Sequence, residues 1–379
     1  MRNFVMTSES VSVGHPDKLC DQISDAIVDA VLASGARSRI NAECALATGV
    51  IFLSIHAGEE LAIDPAAIAR RVFAEAGYGA SGSGAGPTVM LDVSVPGGRG
   101  QDGLAPALAN QMVTAFGYAC DATPEQLPLP IALAHRLCRA IDRARRRGCL
   151  TWISPDAQAQ AAVRFADRRV VALDAIALRF GKREQVGEDL ARATLTEDVI
   201  APTLACLDTE LQDCPRIITL GAEGEAGPLA HAGLTGRKSA DDAYGSFIRR
   251  AGPALSGKDP ARIDRIASYA ARHAACNVLA AGLAREIEVQ LSYLMGDEGP
   301  VSVEVDTFGS GAASDATISA RLREKLDFRV AAIAERMDLW NLPAMRGGRF
   351  YRDLAVYGQM GRQDLSPPWE DTSVATDLA

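Results

Sequence analysis

Apolar side chains recur every four residues close to the start of the chain, and the run stops at a glycine. Leu19, Ile23, Ile27 and Val31 precede Gly35, a spacing that predicts an amphipathic helix with one buried face. Further on, apolar runs predict strands, with a second helix between them. These elements are the strands at 43–55 and 89–95 and the helix at 68–76.

The rest of the chain repeats this order of elements. The middle third has a predicted helix, a hairpin and another helix, at 131–147, 161–166 with 170–178, and 188–200. The last third has an alanine-rich helix that we expect to be buried and two alternating strands, at 269–284, 286–294 and 301–307. Similar units in tandem predict an α+β fold of three domains, each a sheet with helices on one face. We place the domains at 1–98, 99–226 and 227–379.

Two stretches between the predicted elements are rich in Gly, Ser and Pro. They lie at 79–87 and 96–106 and predict loops. The second is long enough to act as a mobile lid.

The charge of the chain excludes some classes of function. Its 379 residues carry a formal net charge of −9, with lysine and arginine scattered along the sequence. Proteins that bind nucleic acid or membrane surfaces concentrate basic residues on one face, so we expect neither partner. The basic cluster Arg143, Arg145, Arg146 and Arg147 ends a predicted helix just before Gly148, where positive charge is favourable.

The cysteines and the N-terminus both predict a cytoplasmic protein. None of the eight cysteines forms a close metal-ligand pair, and Cys138, Cys206 and Cys276 lie among apolar residues at helical spacing. Buried free thiols in a reducing compartment explain this better than disulfides or zinc sites. Residues 1–7 contain no apolar run of signal-peptide length, and no later segment is apolar for long enough to span a bilayer.

A polar stretch at residues 8–18 holds the first candidate chemistry. His15, Pro16 and Asp17 stand at the start of the predicted helix, where free backbone N–H groups bind anions. Asp17 is suited to hold Mg²⁺ through oxygen, with the metal bridging phosphates. Taken alone, the stretch is explained better by a simpler role, in which Asp17 only stabilises the first helical turn.

A second polar stretch, in two pieces, favours an anion site. Gly233 and Gly236 allow a sharp turn that presents Arg237 and Lys238 as adjacent cations, and Lys258 follows a Ser-Gly turn. Solvated charges on ordinary surface loops are the alternative. Several glycine turns followed by cations, in one third of an acidic protein, favour the anion site.

At these residues the chain resembles the S-adenosylmethionine synthases, also called methionine adenosyltransferases. Residues 8–18, 233–238 and 256–264 resemble three signatures of that family, and shorter motifs fall in family order. These are FGYA at 116–119, AHRL at 134–137 and TFGSG at 307–311. The resemblance runs from the N-terminus to about Trp369.

The resemblance implies a fold, an assembly and a reaction. It implies three similar α/β-sandwich domains related by a pseudo-threefold axis, in a homodimer or a dimer of dimers with active sites shared between subunits. In the implied reaction, the methionine sulfur attacks C5′ of ATP and expels tripolyphosphate, which is cleaved to pyrophosphate and phosphate. Fixed cations and Mg²⁺ are expected to supply most of the transition-state stabilisation for so charged a leaving group.

The resemblance also implies roles for individual residues. His15 matches the histidine near the ATP ribose and triphosphate, and His15, Arg237 and Lys258 are the implied catalytic residues. The implied contacts to ATP or its triphosphate are His15, Arg237, Lys238, Ala254 and Lys258. The implied metal ligands are Asp17 and Asp264, for two Mg²⁺ per site, and Glu43, for K⁺.

The positions that the resemblance assigns to methionine and the nucleoside depart from the family pattern. His56 and His231 stand where the family has carboxylates, and Gln111 or Asn110 where it has the aspartate of a GAGDQG motif. The other departures are Gln158 for a lysine, Glu223 for an aromatic residue near adenine, and Arg262 for a lysine that contacts the methionine carboxylate. We therefore place the substrate pocket at His56, Gln111, His231 and Arg262. The mobile loop is also shorter here.

Two histidines in place of carboxylates weaken the expected binding of the methionine α-ammonium. One lost charge-assisted hydrogen bond costs about 1.5–3 kcal/mol, so two losses weaken binding on the order of a hundredfold or more.

Three hypotheses follow for the function. The chain is a divergent S-adenosylmethionine synthase, a relative that adenosylates a more anionic thioether, or a catalytically weakened partner subunit. Retention of His15, Asp17, Lys258 and Asp264 argues against the third. We predict the first, because the triphosphate half of the site is intact within a whole-chain resemblance.

Overall fold

Three sheets, each backed by one long helix, form the fold of the computed structural model. The structure describes residues 3–35, 37–79, 86–95, 107–207, 211, 215–222 and 226–379. The predicted lid at 96–106, residues 80–85 of the other predicted loop, and Glu223 lie outside these ranges.

The described strands and helices follow the chain in alternating groups. The strands are β1 (Asn3–Val11), β2 (Ile40–Ala47), β3 (Val50–Ala57), β4 (Thr88–Ser94), β5 (Val113–Cys120), β6 (Ile153–Ala166), β7 (Arg169–Lys182), β8 (Arg216–Ala222), β9 (Gly233–Leu234), β10 (Glu286–Tyr293) and β11 (Ser302–Asp306). The helices are α1 (Pro16–Ala33), α2 (Pro65–Phe73), α3 (Leu129–Arg146), α4 (Glu188–Leu195), α5 (Ala201–Leu204), α6 (Ser239–Asp242), α7 (Ile263–Ala280), α8 (Asp315–Lys325), α9 (Val330–Arg336), α10 (Leu342–Met345), α11 (Tyr351–Leu354) and α12 (Ala375–Leu378). Single π-helical turns at Ala74–Tyr78 and Thr196–Ile200 follow α2 and α4.

The three sheets repeat one plan. Their strand orders are β4-β3-β2-β9, β1-β6-β7-β8 and β11-β10-β5. Helix α1 packs on the first sheet, α3 on the second and α7 on the third, and each of these helices is 18 residues long. The predicted α+β fold of three similar units is confirmed.

Each sheet takes a strand from another third of the chain. β1 pairs antiparallel with β6, β5 with β10, and β9 with β2. The sheets therefore do not follow three consecutive pieces of sequence, and the boundaries after residues 98 and 226 stay predictions. Polar residues from distant parts of the chain are brought together by these exchanges.

Most predicted elements are present with shifted ends. Residues 43–55 fall on the two arms of the hairpin β2–β3, which turns through Thr48 and Gly49 with φ of 41° and 79°, as a tight hairpin requires. The buried helix predicted from residue 269 begins six residues earlier, at Ile263. Strands β1, β5 and β8 were not predicted, because polar residues in β1 and glycines in β5 and β8 obscure the strand pattern.

The core is continuous around α1 and α7, with a second cluster between α3 and the sheet of β6 and β7. Cys138 and Cys276 are buried free thiols, as predicted, but Cys206 is exposed. The prediction of a buried Cys206 is wrong because α5 ends at Leu204, so this side chain follows the helix rather than facing the core.

Among the described residues, no helix combines the length and the apolar character that crossing a membrane requires.

Candidate active site

Helix α1 carries a row of buried aspartates opposite its apolar face. Asp17, Asp21, Asp25 and Asp29 are four residues apart and buried, a spacing that aligns them along one side of a helix. Each accepts hydrogen bonds from backbone N–H groups of the last third of the chain. The row therefore fixes the loops that bear the predicted cations.

The first of these loops runs through the second polar stretch. The Leu234 N–H donates to Asp17 Oδ1 at 3.0 Å, and the Gly236 N–H donates to Asp21 Oδ1 at 2.7 Å. Gly236 has φ +78°, and a Cβ on Gly233 would lie 2.2 Å from the Pro16 carbonyl carbon. Both glycines are thus needed for the predicted sharp turn against the start of α1.

His15 caps this end of α1 and is buried, with 3 % of its surface exposed. Its Nδ1 accepts from the Asp17 N–H at 3.2 Å, and its ring centroid lies 5.0 Å from that of His231. Burial, followed by the charges of Lys238 and other cations, lowers the pKa of His15 to about 2. The ring is therefore neutral near pH 7.

The two adjacent cations lie beside this histidine. Arg237 Nη1 is 3.4 Å from Asp17 Oδ1, and its side chain is half exposed. Lys238 Nζ donates to Glu9 Oε1 at 2.8 Å. Ala254 packs against the same loop, because a Cβ on Gly236 would lie 2.2 Å from Ala254 Cβ.

Asp156 completes the cluster, although it is not among the site residues that the sequence predicts. Its Oδ2 lies 3.2 Å from His231 Nε2 and accepts from the Gly227 N–H at 3.0 Å. Tyr78 stands next to it and donates its hydroxyl to the Gly14 carbonyl at 2.8 Å. We refer to His15, Asp17, Asp156, His231, Arg237 and Lys238 as the His15 group.

Lys258, Asp264, Gln111 and Arg262 form a second cluster, the Lys258 group. Lys258 Nζ and Gln111 Nε2 both donate to Asp264 Oδ2, at 2.6 and 2.5 Å. Burial lowers the pKa of Lys258, Asp264 opposes this effect, and Arg262 adds to it. Arg262 is the residue that precedes α7.

The turn that bears Lys258 is held between α1 and α7. The Gly257 N–H donates to Asp25 Oδ1 at 2.9 Å, and Arg265 Nη1 donates to the Lys258 carbonyl at 2.6 Å. Asp25 and Arg265 are themselves a fully buried ion pair. Gly257 has φ +83° and lies against the Ala42 carbonyl, so no other residue fits this turn without strain.

Glu43 and His56 lie on the open face of the β2–β3 sheet, beside the Lys258 group. The backbone of Asn41 forms an isolated antiparallel β-bridge with Lys258, and Asn41 is the partner of His56 in the β2–β3 pairing. The Asn41 side chain donates from Nδ2 to Glu43 Oε1 at 3.2 Å. Gln158 lies on β6, two residues after Asp156, and pairs with Val11 of β1.

The two groups are separate within one chain. Leu234 pairs with Ala45 of β2, whereas Lys258 pairs with Asn41 of the same strand. The two loops therefore meet β2 four residues apart, a separation of about 13 Å along an extended strand. Within the described ranges, no hydrogen bond or ion pair joins the His15 group to the Lys258 group. Asp17 and Asp264, both predicted Mg²⁺ ligands, therefore belong to different clusters.

One signal in the sequence could have revealed part of what was missed, the row of buried aspartates on α1. The aspartates at intervals of four in α1 share the period of the apolar face, which identifies a helix buried on two sides. Lys18 lies fully buried between Asp21 and Asp242, at 2.9 and 2.5 Å. Its burial follows from the packing of α6, which sequence alone does not give.

Comparison with known proteins gives a consistent result along the whole chain. Family models described as the N-terminal, central and C-terminal domains of S-adenosylmethionine synthetase match residues 3–90, 107–219 and 225–371. The chain is 38 % identical to the S-adenosylmethionine synthase of Synechococcus elongatus, covering 100 % of this chain and 97 % of that protein.

Two other relatives give the same relationship. The S-adenosylmethionine synthases of Parasynechococcus marenigrum and Trichormus variabilis are each 39 % identical, covering 100 % of this chain and 96 % of those proteins. With three family models in order and this coverage, the chain belongs to the S-adenosylmethionine synthetase family.

Proposed function

We propose that this protein is a methionine adenosyltransferase, which forms S-adenosylmethionine from ATP and L-methionine with release of phosphate and pyrophosphate. The observation that carries the proposal is the similarity over the full chain to relatives named S-adenosylmethionine synthase. The two clusters of buried and half-buried charge supply the fixed cations that a triphosphate leaving group needs.

Arg237 and Lys238 are proposed to bind the triphosphate in the His15 group, with the Ala254 backbone as a further ATP contact. Each cation already lies within 3.4 Å of a carboxylate oxygen, so it is positioned before an anion arrives. Such positioning reduces the reorganisation needed in the transition state. Lys258, in the other group, is proposed to bind the same anion.

His15 is proposed to donate a hydrogen bond to ATP as the bond between C5′ and the triphosphate breaks. Its Nδ1 accepts from the Asp17 N–H, so the proton of the neutral ring is on Nε2. A neutral donor stabilises the negative charge that develops on the leaving oxygen without adding a charge to the ground state. The nucleophile in this proposal is the methionine sulfur.

The residues present fit the proposed metal ions. Asp264 Oδ1 is buried and has no hydrogen-bond partner in the described part of the chain, so it is available to bind a cation. Asp17 and Asp264 would hold two Mg²⁺, and Glu43, an exposed carboxylate, would hold K⁺. Bound Mg²⁺ would neutralise charge on the triphosphate.

A homodimer, or a dimer of dimers, is proposed because the two groups are separate in one chain. The open face of the β2–β3–β4 sheet exposes Val50, Phe52, Met90 and Leu234 by 39–55 %, next to Glu43 of the Lys258 side. An apolar face of this kind is typical of a subunit interface. Pairing through it would let the His15 group of one copy meet the Lys258 group of another.

The altered residues do not favour a different function. His231 pairs with Asp156 and Gln111 with Asp264, so both replacements retain polar partners. The property most open to change is selectivity for methionine, because three residues of the predicted substrate pocket differ from the family pattern: His56, Gln111 and Arg262.

One incubation tests the proposal. The full chain is incubated with ATP, Mg²⁺ and K⁺, with and without L-methionine, and S-adenosylmethionine is measured by mass spectrometry alongside released phosphate. We expect methionine-dependent S-adenosylmethionine. In a parallel assay with added tripolyphosphate in place of ATP, phosphate release without S-adenosylmethionine in the first assay would indicate another nucleophile, and inactivity in both assays would indicate a partner subunit.

A further inference from the structure

We propose that His15, Asp156 and His231 form a binding site for one transition-metal ion of the Zn²⁺ or Co²⁺ type, distinct from the Mg²⁺ sites proposed above. One ligand atom from each residue lies within 4.8 Å of the other two. Two imidazoles and one carboxylate are a donor set that Zn²⁺ and similar cations prefer, whereas Mg²⁺ prefers oxygen alone.

Asp156 provides the independent observation for this site. The residue is only 4 % exposed, and its Oδ1 has no hydrogen-bond partner among the residues that the structure describes. Its Oδ2 is already used by the Gly227 N–H and by His231. A buried carboxylate oxygen without a donor is unfavourable, and a cation held through both oxygens of Asp156 would satisfy it.

The ligand atoms lie within 4.8 Å of one another, so they approach by at most about 1.4 Å to close on an ion. Donor atoms around a tetrahedral Zn²⁺ are about 3.4 Å apart, since each bond is about 2.0–2.1 Å long. His231 Nε2 and Asp156 Oδ2 are already 3.2 Å apart. The His231 side chain is 33 % exposed, so it can rotate and the ion can enter from solvent.

Neighbouring charges permit a cation here. Lys238 is paired with Glu9, Lys18 with Asp21 and Asp242, and Arg237 with Asp17. Arg179 also acts on His15, but its side chain is exposed, so solvent screens its charge. If His15 binds through Nε2, its ring proton moves to Nδ1, and the hydrogen bond that Nδ1 accepts from the Asp17 N–H is lost. The Asp17 carboxylate, 3.9 Å from Nδ1, then replaces it as the acceptor that orients a metal-bound imidazole.

The site depends on a departure from the family pattern, because the resemblance assigns an aspartate to position 231. It should therefore be a property of this chain and of relatives with the same histidine. The metal would occupy His15, so the ion and ATP should exclude each other. This last consequence alone rests on the proposed function.

Calorimetric titration of Zn²⁺ into the metal-free full chain, without ATP or methionine, tests the site. We expect one Zn²⁺ per chain, and a dissociation constant raised at least about a hundredfold in His231→Asn and in Asp156→Asn, because each removes a ligand. Co²⁺ should give visible d–d absorption bands in the wild type that both variants lose. Binding to the exposed Cys149 and Cys206 thiols would persist in these variants, so the difference reports on the site.

His56→Asn is the matched control, because it removes a histidine outside the cluster, and its Zn²⁺ affinity should equal that of the wild type. Circular dichroism verifies the fold of each variant. Equal Zn²⁺ affinity in wild type and His231→Asn, or no binding to the wild type, would overturn the proposal. These titrations contain no substrate, so their outcome is independent of whether the chain makes S-adenosylmethionine.

Discussion

The His15 group and the Lys258 group accommodate their altered residues with different effects on charge. In the first, an imidazole at position 231 lies against Asp156, so a carboxylate is lost but another remains beside it. In the second, Gln111 donates to the same Asp264 oxygen as Lys258. The Lys258 group itself holds one carboxylate, Asp264, against the two cations Lys258 and Arg262, with Glu43 and Asp259 nearby. The Lys258 group is therefore poorer in negative charge.

A second contrast concerns the lysines of the two regions. Lys18 is 1 % exposed and has two carboxylate partners. Burial alone would lower the pKa of Lys18, but Asp21 and Asp242 raise it above the ordinary value. Lys258 has one carboxylate partner and a lowered pKa, chiefly through burial. The environment of Lys18 therefore contributes to the stability of the fold, whereas that of Lys258 leaves the cation available to an incoming anion.

The largest expected effect is on stability, in Lys18→Met. Removing the buried cation leaves Asp21 and Asp242 unpaired, so the free energy of unfolding should fall by about 3–5 kcal/mol. Urea denaturation measures this, with the exposed Lys325→Met as a control that should change by no more than about 0.5 kcal/mol. A change in Lys18→Met as small as the control's would show that Lys18 is not a structural cation.

Lys258→Ala should mainly affect activity. Tripolyphosphate hydrolysis should fall at least about a hundredfold, because one fixed cation at the leaving group is lost, while the loss of stability should be smaller than in Lys18→Met. Phosphate release and urea denaturation on the same preparation measure both. Unchanged hydrolysis would refute the assignment of Lys258 to the anion site.

Restoring the family carboxylates sharpens the comparison further. His56→Glu lies beside the Lys258 group and His231→Asp in the His15 group, and each should lower the KM for methionine about tenfold, by one charge-assisted hydrogen bond. The double variant should gain about a hundredfold if both positions serve one shared site. If His231→Asp lowers the KM for methionine and His56→Glu does not, His56 lies outside the methionine pocket.

The smallest expected effect is the pH dependence that His15 contributes. Its pKa is about 2 in the folded protein and 6.5 ordinarily, so the unfolded chain binds more protons between these values and stability falls as the pH drops below 6.5. His15→Asn retains a good helix cap but should lose this effect, which amounts in total to about 1.4 kcal/mol between pH 7.5 and 5.5 for a group whose ordinary pKa is 6.5. Urea denaturation at these two pH values compares the wild type with the variant, and equal changes in stability would mean that the pKa of His15 is not lowered in the fold.

Local patterns were sufficient for much of the fold and part of the candidate site. The period of Leu19, Ile23, Ile27 and Val31 predicted α1, and the glycines at 233 and 236 predicted the turn before Arg237. These features depend on contacts between residues close in sequence, so the sequence records them directly. The aspartate row on α1 has the same period and was missed because a second buried face is unusual in a helix.

What the sequence determined by itself was the set of chemical groups: the helices, the glycine turns, the clustered cations and the family to which they belong. The tertiary structure alone decided which groups meet. Asp156 reaches His15 because β1 pairs with β6, Lys18 is buried because α6 packs on α1, and Asp17 and Asp264 lie in separate clusters along β2. These contacts join residues more than a hundred positions apart, and strand pairing over such distances is set by the packing of the whole chain rather than by any local pattern.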